Sequence, residues 1–118
     1  MCSPPAHSLP PPDAKSFRCD VSREAATATV QALGALDLAT VPVLDDQLAA
    51  LRDAGFRRLI LDLRGLELID STGLRCILKY DAAARQDGFS IALIQGPTAV
   101  QRIFVLTGTT DHLPFIAA

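Results

Sequence analysis

Residues 57–63 constrain the fold most, because Leu59, Ile60, Leu61 and Leu63 place apolar side chains on both sides of one extended segment. Such a run is too short for a membrane span and belongs in the interior of a sheet, with strands beside it and other elements covering it. The flanking sequence supplies them. Phe17, Cys19 and Val21 alternate with polar residues and predict a first strand; 26–33, rich in Thr and Val, predicts a second. With a turn over 22–25, the two read as an antiparallel hairpin. Gly34 then ends the second strand, and Asp37 falls in the loop that follows.

Thr40 caps the next segment, Pro42 suits its first turn, and Leu44, Leu48 and Leu51 recur at i, i+4 and i+7, the stripe of a helix packed on one side. Gly55 closes that helix. Beyond the central strand, Gly65 marks a turn. A second helix runs over 71–86 with Leu74, Ile77 and Leu78 on one face and Gly88 at its end. Residues 89–94 form another buried strand, and Gly96-Pro97 turns the chain. Val100, Ile103 and Phe104 line a short helix closed by Gly108, and 112–116 make a last strand that Pro114 confines to an edge. Right-handed crossovers make the later strands parallel. The expected architecture is one α/β domain, a mixed sheet with helices mainly on one face.

At 118 residues the chain holds one domain with its own core, over 16–118, preceded by a proline-rich disordered tail over 1–15. A net charge of −2 without any Lys/Arg stripe argues against nucleic acid as a partner. No apolar run approaches the roughly 20 residues that cross a bilayer, so direct membrane insertion is not expected, and no secretory leader is visible. Cys2, Cys19 and Cys76 fit neither a zinc spacing nor a disulfide framework. They point to a reducing, cytoplasmic setting, with Cys19 and Cys76 as core or near-core residues. His7 and His112 stand apart, so no metal site and no Ser–His pair is expected. No phosphate loop, dinucleotide fingerprint or nucleophile elbow occurs, and Asp62 and Glu67 do not read as paired carboxylates. Neither a cofactor nor a catalytic residue is expected.

The informative stretch is Asp70-Ser71-Thr72-Gly73-Leu74, where strand gives way to helix. The first N–H groups of a helix lack intrahelical partners, so Asp70 or Ser71 caps them, and the helix dipole favours negative charge there. A phosphate on Ser71, adding about −1.5 to −2 charges, is therefore tolerated by its own helix. Thr72 is the competing hydroxyl. Gly73 leaves room for another protein to approach, and Leu74 anchors the helix beneath. Asp37 can lie at the same sheet edge. This is the layout of a modifiable contact surface, although Asp-Ser before an amphipathic helix also serves as an ordinary cap.

These residues resemble the STAS domain family of bacterial anti-sigma factor antagonists. Three segments match in order over 17–116: Gly34-Ala35-Leu36-Asp37 before the Thr40 helix, Leu61-Asp62-Leu63 running into Asp70-Ser71-Thr72-Gly73-Leu74, and Ile103-Phe104-Val105-Leu106-Thr107-Gly108. The resemblance implies that Ser71 is phosphorylated by an anti-sigma factor serine kinase, which the unphosphorylated chain sequesters to free a sigma factor. A serine phosphatase restores binding. It further implies that Asp37 and Asp70 shape a partner surface that includes Ser71, Thr72, Gly73, Leu74 and Arg75. Two positions depart from the pattern: Ala35 stands where an acidic residue is frequent, and Arg75 where a second glycine is frequent. Family relatives also include cytosolic subunits of membrane lipid or anion transporters, which is the alternative reading.

Overall fold

The computed structural model describes residues 17–117; the expected tail over 1–15 lies outside them. The elements are β1 (Phe17–Glu24), β2 (Thr27–Leu36), α1 (Val41–Asp53), β3 (Arg58–Ile69), α2 (Ser71–Asp87), β4 (Ser90–Ile94), α3 (Thr98–Leu106) and β5 (Phe115–Ile116). They form a five-stranded sheet in the order β1-β2-β3-β4-β5. β1 runs antiparallel to β2, and every later pair is parallel, as the crossover argument requires.

Leu44, Leu48 and Leu51 of α1, Leu74 and Ile77 of α2, and Val100 and Phe104 of α3 enter one core with Val30, Leu59, Leu61 and Leu93 of the strands. All three helices therefore cover the same face of the sheet. Phe104 packs edge-on against Phe115 at a centroid distance of 5.3 Å, which secures the two-residue β5. Cys76 is buried and Cys19 half-buried in this layer, and burial pushes both thiols up to about 11, so neither is a thiolate at neutral pH.

The opposite face carries no helix among the described residues, and this modifies the expectation of a central strand apolar on both sides. Across it, Asp20, Gln31 and Asp62 stand in register, and Ile60 is only half-buried. Asp62 is 2% exposed and is held by Arg64, whose Nε and Nη2 donate to the two carboxylate oxygens at 3.0 and 2.8 Å. The side-chain hydrogen bond from Arg64 holds the Asp62 carboxyl below the usual carboxylate range, against the opposing effect of burial.

Several boundaries differ from those read in the sequence, among them the last strand, expected over 112–116 and formed only by Phe115–Ile116. The hairpin turn tightens to Ala25 and Ala26, with Ala25 at φ 54° and Glu24 opposite Thr27. Gly34 does not end β2, which continues at φ 99° to Leu36. Gly65 is not a turn but an interior residue of β3. A Cβ there would lie 3.0 Å from Leu33 Cδ2 and 3.2 Å from the Ala32 carbonyl oxygen. The cause is paired: β3 gains one residue on β2 between Asp62 and Gly65 and another between Leu66 and Leu68. Bulges of this kind need a small residue where the backbones crowd. Pairing of β3 with β4 stops at Asp62, so the end of β3 runs on beside β2 and delivers Asp70 to the sheet margin.

Candidate functional site

Two turns meet at that margin. β2 ends at Leu36 and leads through Asp37 to α1, while β3 ends at Ile69 and leads through Asp70 to α2. The Asp70 N–H donates to the Leu36 carbonyl at 3.1 Å, which fixes their separation. Asp37 and the Ser71 helix start thus share one end of the sheet, as expected from sequence.

Asp70 is the N-cap of α2. Its Oδ1 accepts from the N–H groups of Thr72 and Gly73 at 2.9 and 3.0 Å, and its Oδ2 accepts from the Leu38 N–H at 3.3 Å. One carboxylate thus caps a helix and ties down the neighbouring loop. The loop is also braced internally. Asp37 Oδ1 accepts from the Ala39 N–H at 3.0 Å and the Thr40 N–H at 3.2 Å. The Thr40 hydroxyl donates to the Ala35 carbonyl at 2.8 Å and accepts from the Asp37 N–H at 2.9 Å. Thr40 is the N-cap residue of α1, but its side chain caps no α1 amide; it closes the loop behind the helix. The Asp37 carboxylate therefore sets the shape of its own loop.

Ser71 occupies the first position of α2 and is exposed. Its hydroxyl makes no hydrogen bond among the described residues. Thr72 is half-buried one position on, so the two hydroxyls that the sequence left in competition differ in access. Arg75 is exposed one turn later. Leu74 is buried and anchors the helix as expected. Gly73 is buried too, and its missing side chain serves the interior. A Cβ there would lie 2.9 Å from Ile69 Cγ1 and 3.0 Å from Leu36 Cγ. The space credited to an approaching protein is filled by the two residues that end β2 and β3.

Sequence reasoning missed the apolar rim. Leu38 is 73% exposed in the loop held by Asp70, Val43 is 47% exposed in the first turn of α1, and Leu68 is 45% exposed just before the cap. Val43 lies off the Leu44–Leu48–Leu51 stripe, and Leu38 stands in a short loop between Asp37 and Thr40; both are visible signals of an apolar side chain without an internal place. These side chains lie at the same end of the sheet as the exposed Ser71 hydroxyl. Among the described residues, no cluster of three His, Cys, Asp or Glu forms a candidate metal site, and no helix is long and apolar enough to cross a membrane.

Replacing Asp70 by Ala removes the acceptor of three N–H groups, and a stability loss of about 1–2 kcal/mol is expected by urea denaturation. Asp70→Asn keeps the helix cap through its amide oxygen but turns a donor toward the Leu38 N–H, so it falls between the Ala variant and the wild type. Equal stability of the Ala variant and the wild type would contradict the tethering role.

A STAS family profile, described as "Mlab, STAS domain", matches residues 19–116. The chain belongs to the STAS domain family. Within that family it is similar to the anti-sigma-B factor antagonist of Staphylococcus aureus, with 31% identity over 78 residues, covering 66% of this chain and 72% of that protein. Among solved structures, the STAS fold described here is similar to an anti-sigma factor antagonist from Mycobacterium paratuberculosis. The TM-score is 0.72 at 24% identity, covering 91% of this chain and 89% of the other. The Bacillus cell fate determinant SpoIIAA in its phosphorylated form superposes with a TM-score of 0.66 at 15% identity, covering 87% and 91%. STAS domains are generally non-catalytic regulatory modules.

Proposed function

We propose that this STAS domain is an anti-sigma factor antagonist switched by phosphorylation at Ser71. In the unphosphorylated form, the surface around Ser71 holds an anti-sigma factor serine kinase and so frees a sigma factor. A phosphate on Ser71 ends the contact, and a serine phosphatase restores it. The observation that carries this reading is the exposed Ser71 hydroxyl, which makes no hydrogen bond among the described residues at the first position of α2. Leu38, Val43 and Leu68 supply apolar contact area at the same end of the sheet, and Arg75 supplies a charge. The S. aureus relative bears the name of this activity, and the phosphorylated SpoIIAA structure is a precedent for a phosphate on this fold.

The test is to incubate the full chain with a serine-kinase anti-sigma factor from the same organism and ATP, then map phosphate by mass spectrometry. One phosphate is expected on Ser71, absent from Ser71→Ala and retained in Thr72→Ala. Phosphate that persists in Ser71→Ala removes the assignment. Co-isolation of a permease or transport ATPase, in place of such a kinase, decides for the transporter-subunit reading.

A further inference from the structure

Arg75 lies four residues after Ser71 on α2, so the two side chains are neighbours one turn apart on the same exposed face. Among the described residues, Arg75 makes no hydrogen bond or ion pair. The next cation along that ridge, Lys79, is already held by Asp45 of α1 at 3.1 Å. Arg52, Arg64 and Arg85 are likewise engaged, with Asp87, Asp62 and Asp81. The anions at the site are committed as well: Asp70 to the amides of Leu38, Thr72 and Gly73, Asp37 to its own loop. A phosphate on Ser71 would therefore meet one uncommitted cation in its own helix. It would do so in the favourable order, anion toward the N-terminus and cation one turn on. A guanidinium can also offer two parallel N–H donors to phosphate oxygens.

We propose that Arg75 is the intramolecular counter-ion of a phosphate on Ser71. Phosphorylation then acts twice on the docking surface, by adding an anion and by withdrawing a cation that the unmodified protein presents to its partner. This rests on Ser71 being the acceptor.

The test uses the full chain with phosphoserine installed at position 71 by genetic encoding, titrated by phosphorus NMR. The second ionisation of phosphoserine lies near pH 6 in the absence of partners. With Arg75 present it is expected about 0.2–0.4 unit lower than in Arg75→Ala, the scale of an exposed pair one helical turn apart. The difference shrinks at high salt. Arg75→Lys falls between the two, and Arg102→Ala, which removes an exposed arginine of α3, leaves the titration unchanged. Superimposable titrations of the wild type and Arg75→Ala overturn the pairing. Because the phosphate is installed without a kinase, that result leaves the acceptor assignment to the mapping experiment above, and the two failures stay distinguishable.

Discussion

Ser71→Glu is expected to weaken the complex with the anti-sigma factor by one to three decades while leaving the fold intact. Two unit charges about 4 Å apart interact by roughly 4 kcal/mol at an effective dielectric of 20. Turning a neutral contact into such a repulsion therefore lowers affinity by up to about a thousandfold, and water and salt remove part of it. Glutamate carries one charge against nearly two for phosphate, so Ser71→Glu belongs at the weaker end of that range and the phosphorylated protein at the stronger. Stability moves little, since an acidic side chain at the first turn of α2 complements the helix dipole. Titration calorimetry at two ionic strengths, with thermal melts alongside, provides the check. The affinity loss should narrow as salt rises; equal affinity of Ser71→Glu and the wild type would remove the charge mechanism.

The largest structural effect is expected at Gly73. Its Cα faces the ends of both central strands, and even a methyl group would sit 2.9 Å from Ile69 and 3.0 Å from Leu36. Neither neighbour is a freely moving tip: Leu36 is fully buried and Ile69 nearly so. Gly73→Ala should cost about 1–2 kcal/mol and Gly73→Val about 3 kcal/mol, the scale of overpacking in a filled core. Urea denaturation reads both, and a stability unchanged in Gly73→Val would contradict the packing seen here. Because Leu36 and Ile69 directly precede Asp37 and Asp70, any backbone shift that relieves the clash also moves the site. The valine variant should thus lose partner binding along with stability.

Periodicity made the architecture legible. Leu44, Leu48 and Leu51 occupy the buried face of α1 as their spacing implies, and the order of elements was enough for the parallel pairing. The glycines that end helices, Gly55 and Gly88, were read correctly, but others misled. Gly34 and Gly65 look like punctuation, because local sequence cannot distinguish a turn from a bulge between strands distant in the chain. Gly73 misled differently: a missing side chain in a first turn reads as an opening until Leu36, from another strand, is seen to fill it. At the site, Asp70 and Ser71 were readable because helix capping is local chemistry. The Asp70–Leu38 contact and the half-burial of Thr72 were not, since both depend on how two loops meet.

The double use of the Asp70 carboxylate bears on how quickly the proposed switch would operate. With the helix start and the adjoining loop clasped by one side chain, the proposed recognition face would exist before any encounter. Docking then needs little ordering of backbone, and more of the contact energy remains as affinity. Such a face could capture and release a visitor without refolding, so under the proposed switch exchange between bound and free populations would follow the modification state rather than lag behind a slow rearrangement.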